Sequence, residues 1–523
     1  MLQFCAVIRW DGERMGLTFK RSAFRAATGI AVFLVVWLPP EIASRAMTST
    51  ATATLSYEHG WHAAHRPREF ADAVSRGLAQ CPAGSVKVRH ASNIQRRIDS
   101  KAAGTRFCFQ AGMYRIRQPL RPRQGDELVF LRGAVLSGAK IVESWSRQGQ
   151  YWVAAGQTQS FRPYDAPCEP NPPACEYEDL FRDGSPMRRV LSLAEVGSDS
   201  FFFDEAEDRM YVSEDPSGHL FEAPVAPVAI KSPGVSRASV IGATIQMFGL
   251  HGIEAVGRWT LKRNVIRYVH SHGLRVFGRV KVRRNVISHS GNMGIFGQGD
   301  GLVFVGNELF RNNYLRFGKS ATDMWHAGAV KITHSTNTIV RNNHSHDNIG
   351  DGWWFDTDNS DVVVSDNVFE DNTRYGILYE TSFKALISRN VFRRNGTTVK
   401  WGGAGLWLSA SQDVTIIDSV FDRNVEWALA LTWMDRGEST KYGERRLANV
   451  LVRNNRFKIA TGRIGVPYGI DRIYSSNNRF ERNQYKLANV KGNYWRWQST
   501  DHDWNSWQSL GQDGGSSVSK LGN

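Results

Sequence analysis

The stretch HDNIGDGWWFDTDNSDVVVSDNVFEDNTRYGILYETSFKALISRNVFRRNG, residues 346–396, says one phrase twice. A glycine (Gly352, then Gly376) opens an alternation of residue types. A short apolar run follows, and Asn-Val-Phe closes each unit, at Asn367 and at Asn390. Working outward, the closing phrase recurs at Asn264, Asn285, Asn307 and Asn343 on one side, and at Ser419, Asn455 and Asn478 on the other. Successive spacings are 21, 22, 36, 24, 23, 29, 36 and 23 residues. With the three long ones read as loop insertions, 21 to 24 residues remain per unit, a period that makes each unit one coil of a stack. The fold predicted is all-β, a right-handed parallel β-helix in which each coil buries its inner face only against its neighbours. A leucine-rich repeat of similar length lacks its leucines here, and a β-sandwich does not explain nine copies in phase. A second asparagine often follows five residues after the first (Asn343/Asn348, Asn367/Asn372, Asn390/Asn395), which predicts asparagine stacks at the turns.

Beyond the repeats, residues 85–140 carry short apolar strands with glycines at the corners and read as the first coils, with 47–84 as an N-terminal segment. Residues 141–235 break the rhythm and read as a small inserted β domain; 236–490 form the main solenoid. The tryptophan-rich tail 491–523 is expected to cap the open end, whose strand edge would otherwise be exposed. A capped solenoid needs no partner chain, so a monomer is expected.

Residues 1–46 read as a signal peptide. Lys20, Arg21 and Arg25 precede an apolar run, Ala26–Leu38, too short to span a bilayer comfortably, and small residues follow. Met15 offers a second start, and no stable membrane insertion is expected once the leader is cleaved. Removing Cys5 with it leaves Cys81, Cys108, Cys168 and Cys175, an even number suited to an oxidising compartment. Sequence order favours Cys81–Cys108 and Cys168–Cys175 among the three pairings. The protein is thus expected to be secreted, or to lie in the periplasm or cell envelope. Its formal net charge is +15, and Arg258 to Arg284 holds nine basic residues and no acid, a solvated face or an attractor for an anionic polymer. No nucleic-acid motif accompanies it, and export argues against a nucleic-acid partner.

Chemistry is sought on the strand that follows each leading glycine. Aligning Gly328, Gly352, Gly376 and Gly405 sends Trp353, Phe355, Ile377, Tyr379, Leu406 and Leu408 inward and Trp354, Asp356, Asp358, Glu380 and Trp407 outward. Lys331 falls on the inward parity, so a bulge is needed to turn it out beside Asp356. Asp356 and Glu380 share a position in consecutive coils, about 4.8 Å apart along the sheet. Neighbouring acids repel, leaving one protonated and one ionised, as glycosidic cleavage requires. A carboxyl gap of about 5 Å would favour retention and about 6.5–9.5 Å inversion. Asp358 and Lys331 join the pair as further catalytic candidates. Trp354 and Trp407 are candidate sugar platforms, with His334, His326 and Tyr379 as further substrate contacts. The insertions at 314–327 and 435–447 would form walls. The alternative for the acids is a solvated pair or a structural Ca²⁺ site; no zinc-ligand spacing is present and no other cofactor is expected.

The stretch quoted above resembles a widespread group of exported bacterial right-handed β-helix repeat proteins in the pectate-lyase-like superfamily. Their coils read G-[LI]-W-x-D-x-[DN] followed by G-I-x-x-E-x-S, which falls on Asp356, Asp358, Glu380 and Ser382. The resemblance spans most of 85–140 and 250–510, and 141–235 is similar to a small β insertion of some carbohydrate-active members. It implies the fold strongly and the activity weakly, since lyases, hydrolases, epimerases and tailspikes share it. Neither the aspartate run of pectate lyases nor the NTD…DD…GHG series of polygalacturonases is present, which argues against pectin. The resulting expectation is an exported polysaccharide-degrading enzyme, a glycoside hydrolase using Asp356 and Glu380. The alternatives are a lyase or uronate epimerase on an anionic glycan, with Lys331, His334 or Tyr379 as base, and a non-catalytic glycan-binding surface protein.

Overall fold

The computed structural model describes residues 77–522, except 90–92, 162–166, 321–325 and 398–401, together with two strands near the N-terminus. Those two, Cys5–Trp10 and Met15–Lys20, pair antiparallel within a unit formed by Met1–Ala64. The apolar run Ala26–Leu38 of the expected leader lies outside the described residues.

In the other unit, alternation of apolar and polar residues at period two turns the repeat into strands, and the chain coils so that each strand lies on its counterpart in the next turn. Among the described residues this builds three long sheets of 12, 13 and 13 strands. Sheet A runs from Val228–Lys231 to Thr500–His502 and includes Met293–Asp300, Gly328–Thr336, Trp353–Asp356, Tyr375–Glu380 and Ala404–Ser409. Sheet B begins at Val86–Val88 and sheet C at Gly112–Arg115. Neighbours are parallel throughout, except the final pair of sheet A, Trp495–Trp497 with Thr500–His502. Trp353, Phe355, Ile377, Tyr379, Leu406 and Leu408 all point into one continuous core, as the alternation requires. Inside it Phe369, Phe392, Phe421, Phe457 and Tyr485 form a file of stacked rings with centroids 5.4, 4.8, 4.7 and 5.0 Å apart.

The asparagine phrase is a buried ladder. Asn264, Asn285, Asn307, Asn343, Asn367 and Asn390 each donate from the side-chain amide to the carbonyl of a core strand, and from Asn264 to Asn367 each amide also donates to the next rung's Oδ1. Ser419 takes the following rung with its hydroxyl, and Asn455 the one after. The rung below Asn455 is Asn483 and not Asn478 as the phrase suggested, because Arg456 pairs with Gln484 and the coil runs 28 residues. A second ladder joins Asn312, Asn348, Asn372, Asn395 and Asn424.

Two small sheets interrupt the solenoid between Ala139 and Pro224, with their own apolar cluster around Phe201, Met210 and Phe221. The strand Val228–Lys231, inside the expected 141–235 segment, already pairs with His251–Val256 in sheet A. Cys81–Cys108 and Cys168–Cys175 are the disulfides, the pairing that sequence order favoured. At the far end Trp495 packs on Tyr485 and stacks with Trp507. Buried Asp513 accepts from Tyr485 Oη and Trp507 Nε1, each at 2.6 Å, which satisfies the donors those large rings bring with them. Among the described residues no helix is long and apolar enough to cross a membrane.

Candidate functional site on the outer face of sheet A

Parallel pairing fixes which side chains become neighbours. Phe355 pairs with Tyr379, so Asp356 and Glu380, the residues that follow, occupy one rung of the outer face. Thr333 pairs with Asp356 on the coil before, and Glu380 with Ser409 on the coil after. The polar row therefore reads Gln298, Thr333, Asp356, Glu380, Ser409, Thr432.

Lys331 is outward without any bulge. Gly328 bridges to Asp351 and not to Gly352, which places Lys331 beside Trp354 and Ile332 beside Phe355. The alignment on glycines was one residue out for this coil, and a one-residue slip exchanges the two faces of a strand. Its ammonium lies 2.8 Å from Asp356 Oδ2 and 3.4 Å above the centre of the Trp354 ring. Burial pulls the Lys331 pKa down, while Asp356 and Glu380 oppose that. Thr357 donates to Asp356 Oδ1 at 3.0 Å.

Glu380 keeps 12% of its side chain exposed and accepts from Arg436 Nη1 at 2.7 Å. Burial, reinforced by the neighbouring Asp356 charge, raises its pKa against the pull of Arg436, Arg374 and Lys331. Behind the rung Asp351, 1% exposed, is raised to about 6 by burial, with Arg374 at 3.3 Å acting the other way. His326 Nε2 lies 3.5 Å from Lys331 Nζ, and burial together with that lysine lowers the imidazole pKa to about 4. Tyr468 lies over the Trp407 ring at 6.0 Å, and burial with the Glu380 charge raises its hydroxyl pKa.

The fold thus gathers Lys331, Asp356, Glu380 and His326, and leaves the other expected residues apart from the pair. Asp358 is turned aside by a positive φ of 57° and paired with Arg445 at 3.0 Å. His334 sits exposed at the irregularity near the end of the strand Gly328–Thr336, with a positive φ of 48°. Tyr379 does not face substrate: it is fully buried and its hydroxyl donates to the Phe383 carbonyl at 2.8 Å. Trp354 and Trp407 face outward as expected, yet each is 2% exposed and covered, within an outer apolar cluster with Tyr375, Leu378 and Trp427. They support Lys331 and Tyr468 and do not offer open ring faces. Arg374, Arg436, Arg445, Tyr468 and Asp351 were not anticipated, although Arg436 and Arg445 come from the 435–447 insertion expected to form a wall.

Among the described residues, two groups of side chains have ligand atoms close enough to share an ion, and neither lies at the acid pair. Glu176, Glu178 and Glu205 converge on the Arg189 guanidinium, which already occupies the space between them. The other group is Glu308, His344 and His346 on sheet C.

Residues 249–421 match the family model described as right handed beta helix region, and the fold is a right-handed parallel β-helix. Among solved structures, the complex of XylC with xylose aligns at 12% identity over 81% of this chain and 79% of that one, with a TM-score of 0.51. The Azotobacter vinelandii mannuronan C-5 epimerase AlgE4 A-module aligns at 12% identity over 86% and 95%, with a TM-score of 0.45. The Yersinia enterocolitica family 28 exopolygalacturonase aligns at 11% over 83% and 76%, with a TM-score of 0.35. At 12% identity the likeness to the XylC complex is one of fold. No curated protein sequence matches the chain.

Proposed function

We propose that this protein is an exported enzyme acting on a polysaccharide, and that it hydrolyses glycosidic bonds with Glu380 as the acid and Asp356 as the carboxylate. The observation that carries this reading is the contrast between two acids on one rung. Glu380 is held toward its protonated form by burial and by Asp356. Asp356 faces the Lys331 ammonium at 2.8 Å. Two carboxyls in opposed environments supply the proton donor and the anion that the reaction needs. The two disulfides support an oxidising compartment.

A second reading, a lyase or epimerase on a uronic-acid glycan, is favoured by one feature. Lys331 is a buried amine whose pKa is lowered, suited to proton abstraction. Arg374 and Arg436 beside the acids would hold a substrate carboxylate. The experiment is a screen of the purified protein on neutral and uronic polysaccharides, with reducing ends and unsaturated products read in parallel. Hydrolysis predicts new reducing ends without unsaturation, and a loss of about 10²-fold or more in Asp356→Asn and Glu380→Gln with unchanged circular dichroism. As an acid, Glu380 must be protonated, so activity falls as pH rises through its raised pKa, and Glu380→Gln abolishes that limb. Unsaturated products would replace hydrolysis by the lyase reading. Full activity in both variants would remove the acid pair from the chemistry, and no product on any glycan would favour a binding role.

A further inference from the structure

The outer face of sheet C carries a separate constellation that the glycan chemistry does not use. The strand His344–His346 reads His-Ser-His, and period-two alternation puts both imidazoles on one face, with ring centroids 4.0 Å apart. Register brings Glu308 from the preceding coil directly beside His344. One ligand atom from each of Glu308, His344 and His346 lies within 4.8 Å of the others. His346 Nε2 and Glu308 Oε1 are 3.6 Å apart, long for a hydrogen bond. Two ligands at about 2.0–2.1 Å from a tetrahedral ion stand roughly 3.3–3.5 Å apart, so this gap is close to that of a shared ion.

The surrounding groups are arranged as metal-binding imidazoles need. His346 Nδ1 is 2.7 Å from Asp347 Oδ2, and His344 Nε2 is 2.8 Å from Glu370 Oε1. A carboxylate at one nitrogen orients the ring and strengthens the other nitrogen as a donor. Arg393 at 2.7 Å balances Glu370, and Phe310 stacks on His346 at 5.2 Å and fixes its plane. Each histidine side chain keeps 17% exposure, enough for water to complete a coordination shell.

We propose that Glu308, His344 and His346 bind a divalent transition-metal ion of the Zn²⁺ class, tying the coil of Glu308 to the next. Two imidazoles with one carboxylate suit Zn²⁺ and its first-row neighbours, whereas Ca²⁺ takes an all-oxygen shell. The ligands are 36 residues apart in sequence, and the insertion 314–327 lies between them. The ion therefore pins the coil that also carries Lys331, on a different sheet from the acid pair and independently of the proposed activity.

The test is titration of the chelator-treated full-length protein with Zn²⁺ by calorimetry, against Glu308→Gln and Asp347→Asn. Both substitutions are near-isosteric, and Asn suits the positive φ of 54° at position 347. Circular dichroism confirms that each variant folds. The expected result is one tight equivalent in the wild type, weakened about tenfold or more by Glu308→Gln and measurably by Asp347→Asn. Histidines elsewhere also take up Zn²⁺, so the comparison with the variants decides. No tight equivalent in the wild type, or uptake unchanged by Glu308→Gln, overturns the proposal and leaves an ion-paired histidine cluster.

Discussion

Replacing Asn367 by alanine tests the asparagine ladder at its centre. The side chain is 1% exposed. Its Oδ1 accepts from the Asn343 backbone N–H at 2.8 Å, and its Nδ2 donates to the Val340 carbonyl at 3.0 Å and to Asn390 Oδ1 at 2.9 Å. Asn390 Oδ1 keeps the Asn367 backbone N–H, and the Asn343 amide keeps the Phe304 carbonyl, so neither is orphaned. Three backbone groups, Asn343 N–H, Val340 C=O and Ser365 C=O, lose the partner this side chain gave them, and of these Ser365 C=O still accepts from Asn342 N–H, which leaves two to count. At about 1–3 kcal/mol for each buried polar group left without one, the expected loss is about 2–6 kcal/mol. Asn367→Ser is expected to lose about half as much. The fold already shows why: Ser419 holds its own rung by accepting from Asn390 N–H at 3.1 Å and donating to the Ile417 carbonyl at 3.0 Å. Equilibrium unfolding in guanidinium, followed by tryptophan fluorescence and far-ultraviolet circular dichroism, measures both. An alanine variant within about 0.5 kcal/mol of wild type, the range of an ordinary surface change, would refute the reasoning. So would a serine variant no better than alanine.

Three further outcomes follow from the same structure. Phe392 is fully buried between Phe369 and Phe421, so Phe392→Ala should cost about 3–5 kcal/mol by the same unfolding assay. Buried Asp351 is raised to about 6 from 3.8, so the folded state binds its proton more tightly and stability falls as pH rises from about 4 to 6. That change amounts to about 3 kcal/mol at most, and Asp351→Asn should remove it from the pH dependence of the unfolding midpoint. Opening Cys81–Cys108, which spans 27 residues, by substituting both cysteines with serine should lower stability by about 3–4 kcal/mol, and reductant should then have less effect on the melting temperature.

The repeat specifies the architecture because it is a local and physical signal. Period-two alternation separates core from surface, and the recurring asparagines mark turn positions where a buried amide bridges successive coils. Those two facts placed Phe355 and Tyr379 inside and Asp356 beside Glu380 outside, all legible in residues 346–396. Residue pattern does not find the neighbour where coil length decides it. The slip at Gly328 hid the outward path of Lys331, and the 28-residue coil put Asn483 and not Asn478 beneath Asn455. Which charges surround the acids was decided only in three dimensions: Arg436 and Arg445 arrive from an insertion 56 and 87 residues away in sequence from the acids they meet. The same holds for Glu308 and His344, 36 residues apart and side by side on sheet C. A strand's inward and outward faces follow from its own residues. The residue across the gap follows from the length of every loop between them, and that is settled only when the coils stack.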